Sequence, residues 1–192
     1  VCFGTSRGMV KMGDGALIIA DKMNGNIRKL QNGVVTTLAG EGYDYEDEDE
    51  EKLRDGPGAT ARFCGPAGVA RDAQGRLLVA DMNNHRIRRV TSEGETTTIG
   101  GADGPRMEGT PHGILVAKDG AMIVSVREDV HRISMLSADG TLTTLAGSEE
   151  LGFVDGRGEA ARFVYPAGIA EGPDGRIYVA DLGNHSIRRI DR

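Results

Sequence analysis

The stretch that decides the fold is Gly168–Ile190, with the sequence GIAEGPDGRIYVADLGNHSIRRI. It predicts three short strands: an apolar run at 168–170, an apolar and β-branched run at 176–180, and a strand at 185–190. Asp174-Gly175 predicts a tight two-residue hairpin, whose two central positions both need positive φ. Almost the same residues recur at Gly68–Val90, GVARDAQGRLLVADMNNHRIRRV. The chain is therefore expected to be built from repeats.

Four units of this kind align along the chain. Each opens at a glycine and has a second glycine seven residues later, in the pairs Gly8 and Gly15, Gly68 and Gly75, Gly113 and Gly120, and Gly168 and Gly175. The unit spacings of 60, 45 and 55 residues are typical of radial β repeats. A fourth strand follows in the first three units, and four antiparallel strands make one propeller blade. The predicted units span residues 3–40, 63–100, 108–147 and 163–192, with an acidic insertion at 41–54.

Two stretches carry a family resemblance. VADMNNHRIRRV at 79–90 and VADLGNHSIRRI at 179–190 resemble the motif after which NHL repeats are named, and PAGVA and PAGIA resemble its usual opening. The resemblance is fair in unit one and weak in unit three, where Val126 replaces the aspartate. It implies an all-β propeller of four-stranded antiparallel blades. Because NHL propellers are usually six-bladed, the four units are expected to be a fragment of a larger ring. The resemblance also implies a module that presents loops and blade edges to proteins or RNA.

Composition limits which environments and cofactors are expected for this protein. No apolar run approaches the ~20 residues that a membrane-spanning helix needs, so no membrane association is expected. Cys2 and Cys64 are too few for a disulfide framework and form no CxxC pair, which favours an intracellular protein without fixing the compartment. The two cysteines do not predict a bound cofactor, and no other sequence motif does so.

An acidic run interrupts the chain between units one and two. It contains eight acids: Glu41, Asp44, Glu46, Asp47, Glu48, Asp49, Glu50 and Glu51. The formal charge of the chain is −6, so the rest of the chain carries +2. A solvated insertion is the favoured interpretation of such a block. A cation site or a contact for a basic partner is the alternative, although the spacing of a calcium loop is absent from the sequence.

A set of polar residues recurs at the same place in the units. It consists of Asp21, Asp81, Asn84, His85, Arg88, Asp181, Asn184, His185 and Arg188. An aspartate at a strand end accepts hydrogen bonds from backbone N–H groups of the following turn, and a buried arginine needs an anion or carbonyl groups. An active site needs one such set, whereas this set recurs. We therefore predict a structural turn clamp, with no catalytic or metal-binding residue among them.

Three phenylalanines recur in the segment just before the opening glycine of a unit, which we call the lead-in of that unit. Phe3, Phe63 and Phe163 lie five residues before Gly8, Gly68 and Gly168, and we predict that they fill the junctions between blades. Unit three lacks this phenylalanine as well as the aspartate. Its blade is therefore predicted to be the least regular of the four.

Three classes of function follow from these patterns. The favoured one is a non-catalytic scaffold that binds a protein partner, with self-association expected if the arc of blades is open. The alternative is a lactonase-like propeller hydrolase or lyase, whose channel metal site would be completed by blades outside this chain. The strands that open each unit, expected to line the channel, offer no ring of carboxylates, amides or histidines, and His112 is the one histidine near its mouth. RNA binding is the third class and is not favoured, since single-stranded RNA platforms need exposed aromatic residues as well as positive charge.

Overall fold

The computed structural model describes residues 6–42, 53–100 and 107–192, and within them the strands form four antiparallel sheets in sequence order. Blade one comprises β1 (Ser6–Lys11), β2 (Leu17–Asp21), β3 (Asn26–Gln31) and β4 (Val34–Ala39). Blade two comprises β5 (Pro66–Arg71), β6 (Leu77–Asp81), β7 (Arg86–Val90) and β8 (Thr96–Gly100).

The last two blades follow the same plan. Blade three comprises β9 (Thr110–Val116), β10 (Met122–Arg127), β11 (His131–Leu136) and β12 (Leu142–Ser148). Blade four comprises β13 (Pro166–Glu171), β14 (Ile177–Asp181) and β15 (Ser186–Ile190). In every blade, consecutive strands pair antiparallel. The predicted all-β propeller arrangement of antiparallel blades is confirmed, with three strands in blade four.

The turn between the first and second strands differs from the predicted two-residue hairpin. In blade four the Gly172 N–H donates to the Arg176 carbonyl at 2.9 Å, so the turn is longer. Gly175 has a φ of 78°, whereas Asp174 is absent from the residues with positive φ. The Asp174 carboxylate instead accepts from the Arg176 N–H at 3.2 Å. The two-residue prediction is therefore wrong, because the aspartate stabilises the turn through its side chain.

The first strands of the blades line a common axis. β1 packs beside β5, β5 beside β9, and β9 beside β13. A Cβ on Gly8 would overlap the Ala67 carbonyl oxygen, and one on Gly113 would overlap the carbonyl oxygen of Ala167. The glycines that open the units therefore allow neighbouring inner strands to approach at backbone distance.

The hydrophobic core lies between consecutive blades. Ile18, Ala20 and Ile27 of blade one pack against residues of blade two that include Leu77 and Val79. A second cluster joins blades two and three, and a third joins blades three and four. Each blade is thus held mainly by the apolar face of its neighbour. Within the described residues, no helix is both long and apolar enough to pass through a bilayer.

Candidate functional site

The most heavily hydrogen-bonded polar group of blade two surrounds Asp81, which is fully buried at the end of β6. Its Oδ1 accepts from the Cys64 N–H at 2.8 Å, and its Oδ2 accepts from Asn84 Nδ2 and Arg88 Nη1, each at 2.8 Å. Burial raises the pKa of the Asp81 carboxyl, and the Arg88 guanidinium, Asn84 and the Cys64 N–H oppose that rise. The three donors therefore offset part of the cost of burying the charged form of this carboxylate.

Arg88 extends the network from the sheet to the lead-in segment. Its Nη1 also donates to the Arg62 carbonyl at 2.8 Å, and its Nη2 donates to the Arg54 carbonyl and to Asp55 Oδ1, both at 2.7 Å. The guanidinium carbon lies 4.8 Å from the centre of the Phe63 ring. One arginine thus ties residues 54–63 to the end of β6.

Blade four repeats this network. Asp181 Oδ1 accepts from the Val164 N–H at 2.7 Å, and its Oδ2 accepts from Asn184 Nδ2 at 2.7 Å and from Arg188 Nη1 at 3.1 Å. Arg188 Nη2 donates to the Val154 carbonyl at 2.9 Å and to Asp155 Oδ1 at 2.5 Å. The two sets therefore have the same donors, acceptors and connections, one hundred residues apart.

Blade one has a related network. Asp21 is buried, and its Oδ2 accepts from Asn24 Nδ2 at 2.9 Å and from Arg28 Nε at 3.4 Å. Arg28 also donates to the Thr37 hydroxyl of its own sheet. The lead-in residue Phe3 lies outside the described residues.

Blade three replaces the network with apolar packing. Val126 stands at the aspartate position and is buried together with Val130. Ser134 stands at the arginine position and is also buried. Despite this, β10 and β11 pair without a break from Met122 to Val126. The prediction that this sheet would be the least regular is not supported by its strand pairing.

The two histidines of the predicted clamp lie at the ends of short turns. His85 and His185 are the left-handed residues that end the short 3₁₀ turns Met82–Asn84 and Leu182–Asn184, with φ of 54° and 52°. Among the described contacts, neither imidazole bonds to the aspartate of its blade. His85 Nδ1 lies 2.9 Å from the Gly109 carbonyl oxygen of blade three. The histidine of blade two therefore contacts the next blade instead of the carboxylate.

The other residues singled out in the sequence are the lead-in phenylalanines and the acidic run. Phe63 and Phe163 are buried in the clusters that join blade two to blade one and blade four to blade three. Glu41 accepts from Arg54 at 3.2 Å and from Arg62 at 3.0 Å. The other acids of the run lie outside the described residues.

A second group of polar residues lies at the mouth of the central cavity, and the sequence analysis did not predict that these residues are close together. Arg7 Nη1 lies 3.1 Å from His112 Nε2, at the edge of a cavity of about 170 Å³ that touches the first strand of every blade. Burial, and then the nearby Arg127, Arg7 and Lys22, lower the pKa of His112 to about 4. The imidazole is therefore neutral at pH 7 and accepts from Arg7 through Nε2.

One sequence pattern could have indicated this group. Arg7 and His112 directly precede the glycines that open units one and three, and Lys22 and Arg127 occupy matching positions at the ends of the second strands. Within residues 6–42, 53–100 and 107–192, no group of three or more His, Cys, Asp or Glu side chains is arranged to hold a metal ion.

Comparisons with known proteins agree with this architecture. The NHL repeat family model matches residues 63–90 and 163–190. The chain is 28% identical over 180 residues to Protein SUPPRESSOR OF QUENCHING 1, chloroplastic, of Arabidopsis thaliana, which covers 83% of this chain and 16% of that protein. It is 37% identical over 81 residues to NHL repeat-containing protein 2 of Gallus gallus, covering 42% of this chain and 11% of that protein.

A solved structure shows the same fold. The gluconolactonase XC5397 from Xanthomonas campestris superposes with a TM-score of 0.69 at 21% identity, over 97% of this chain and 58% of that one. At this identity the match establishes the propeller fold alone. The chain spans less than a fifth of the two curated relatives and little more than half of the solved propeller.

Proposed function

We propose that this chain, which belongs to the NHL-repeat family of β-propellers, is a non-catalytic interaction module whose fourth blade binds a protein partner. The observation that carries the proposal is where the exposed apolar side chains lie. Of the ten large hydrophobic residues exposed in the described part of the chain, six are in blade four or its lead-in: Leu151, Phe153, Val154, Tyr165, Leu182 and Ile187. This uneven distribution of exposed apolar side chains favours blade four and its lead-in as the place of protein contact.

Blade two supports this proposal by showing what covers the same surface. Ile87 and Met82, which match Ile187 and Leu182, are buried. Ile87 packs in the cluster that joins blade two to blade three, against residues such as Val124. A surface that fits blade four is therefore an apolar face of a β-sheet, as blade three offers to blade two, and it comes either from another protein or from a further part of the same chain.

The recurring polar residues support a module without chemistry of its own. Asp81 and Arg88 direct their hydrogen-bonding groups at each other and at the backbone of one blade, and Asp181 and Arg188 do the same in another. Side chains that are occupied in this way hold the blade, and recognition is left to the exposed surface.

Site-specific photo-crosslinking tests the proposal. A photo-crosslinking amino acid in place of Ile187 is expected to capture one defined protein, and the same amino acid in place of Val34 is not. Val34 is the matched control because it is 61% exposed and lies on blade one. The captured protein, once purified, is expected to bind Ile187→Asp at least tenfold more weakly than it binds the unmodified chain or Val34→Asp.

Three results would count against the interaction module. Equal capture from both positions, with no effect of Ile187→Asp on the dissociation constant, removes blade four as the binding surface. Stoichiometric calcium or zinc in the protein as purified, measured by elemental analysis, supports the propeller hydrolase or lyase instead. Salt-sensitive RNA retention would favour the RNA-binding class.

A further inference from the structure

The mouth of the central cavity carries a group of basic side chains that neither the clamps nor the blade-four surface uses. Arg7 and Lys22 come from blade one, and Arg127 comes from blade three. His112, also from blade three, completes the group through its contact with Arg7. Side chains separated by more than one hundred positions in the sequence thus meet at one end of the cavity.

The three cations are close enough to affect one another. Burial lowers the pKa of Lys22, and the positive charges of Arg7 and Arg127 lower it further. Burial also lowers the pKa of Arg127, with a further contribution from Arg7, while Glu128 acts in the opposite direction. Like charges held together in a partly buried place destabilise each other. The group therefore has a net positive charge that is costly unless an anion is present.

Compensation within the protein is incomplete. Among the described residues, Arg7, Lys22 and Arg127 form no ion pair with a carboxylate within 4.0 Å. Glu128, an acid whose charge acts on Lys22 and Arg127, accepts a hydrogen bond from the Thr110 hydroxyl. The clamp arginine Arg88, in contrast, reaches two aspartates at 2.7 and 2.8 Å. The mouth differs from the clamps in having positive charge without matching acids.

Unused donors point in the same direction. Arg127 Nε is buried and has no hydrogen-bond partner within the described part of the chain, and Arg127 Nη2 donates to a weak acceptor, the Met82 sulfur, at 3.8 Å. Because His112 Nε2 accepts from Arg7, the proton of the neutral imidazole is on Nδ1, which is then a further donor. Guanidinium groups and an imidazole N–H are the donors that proteins use for phosphate and carboxylate oxygens.

We propose that Arg7, Lys22 and Arg127, with His112, form a binding site for the phosphate or carboxylate group of a small molecule at the mouth of the central cavity. The oxyanion lies between the cations and accepts hydrogen bonds from the guanidinium groups. The adjoining cavity accommodates the uncharged part of the ligand. This site is separate from the blade-four surface and does not depend on the proposed protein partner.

Isothermal titration calorimetry with inorganic phosphate and with acetate tests the site. The measurement uses the whole chain at pH 7 and low ionic strength, because salt screens exposed charges. Saturable binding of one anion per chain is expected, and Arg127→Met is expected to weaken it at least tenfold. Tighter binding of phosphate assigns the ligand to phosphate esters, and tighter binding of acetate assigns it to carboxylic acids.

Arg189→Met is the matched control. Arg189 is more than half exposed and pairs with Asp191. Its replacement therefore changes the net charge as much as Arg127→Met does and leaves the residues at the cavity mouth unchanged. Its effect on the dissociation constant is expected to stay within about twofold, as for an exposed and screened charge. If Arg127→Met fails to fold in a thermal melt, Lys22→Met gives the same comparison.

The ionisation of His112 gives a second readout that a purely structural role would not move. A bound anion favours the imidazolium, so saturating phosphate is expected to raise the pKa of His112 from about 4, followed by NMR titration. The same rise should be absent in Arg127→Met. The proposal is overturned if neither anion binds, or if Arg189→Met loses as much affinity for the anion as Arg127→Met does. It is also overturned if the bound anion leaves the His112 pKa unchanged.

Discussion

Blades two and four have nearly the same sequence and the same clamp, yet they differ in what surrounds them. Asp81 and Asp181 each accept from a lead-in N–H, an asparagine and an arginine. Ile87, however, is completely buried, whereas Ile187 is 70% exposed. The clamp is therefore a property of one blade and its lead-in, whereas burial of the sheet face depends on the presence of a neighbour. Paired substitutions can separate these two contributions.

The largest difference from the unmodified chain is expected when the clamp carboxylate is removed. Asp81→Ala removes the buried one of the two acids that pair with the fully buried Arg88 guanidinium, which should lower the free energy of unfolding by about 3–5 kcal/mol. Asp181→Ala should cost less, about 1–3 kcal/mol, because Asp155, the other acid on Arg188, is 96% exposed and the site is open to water. Urea denaturation of both variants measures the two losses.

The exposed aspartate Asp129 provides the control for this pair, and Asp129→Ala should unfold at nearly the same urea concentration as the unmodified chain. Losses below 0.5 kcal/mol for Asp81→Ala would contradict a structural role for the clamp.

A second pair isolates the contribution of the neighbouring blade. Ile87→Ala removes a buried side chain from the junction of blades two and three, and should lower the free energy of unfolding by about 2–5 kcal/mol. Ile187→Ala, at the matching exposed position, should change it by less than about 0.5 kcal/mol. Equal losses in thermal or urea unfolding would show that the face of blade four is already covered in solution.

The smallest expected effect concerns the inner glycines. Gly113→Ala places a methyl group against the Ala167 carbonyl oxygen and should destabilise the protein by about 1–3 kcal/mol. At Gly168 the nearest atom to such a methyl group is the Ala180 Cβ at 4.0 Å. Gly168→Ala should therefore be neutral, or stabilising by up to ~1 kcal/mol through the unfolded state. A melting temperature that falls equally in both variants would argue against close approach of the inner strands as the reason for these glycines.

The blade pattern could be predicted from the sequence because its determinants are local. Turn glycines, strand-end aspartates and apolar runs recur at fixed spacing in units two and four, and each acts within a few residues. Blade three was predicted to be the least regular because its lead-in lacks the phrase that ends in phenylalanine in units two and four. Strands β10 and β11 nevertheless pair without a break, with buried side chains such as Val126 in place of a clamp.

The remaining features depend on contacts between distant parts of the chain. The acceptors of Arg88 include carbonyl groups 26 and 34 residues away, which no local pattern identifies. The basic group at the cavity mouth needs Arg7 and His112, which are 105 residues apart. Exposure of Ile187 could not be predicted either, since the same residue type at the same repeat position is buried in blade two.

The reach of the clamp arginines also bears on the order in which the protein becomes structured. Among the described residues, every side-chain hydrogen bond of Arg88 and Arg188 is made to a residue at most 34 positions earlier in the chain. A ribosome that has released residue 88 has therefore already released every acceptor that this arginine requires. The clamp of each blade can therefore form soon after that blade is synthesised, before the next blade has been made.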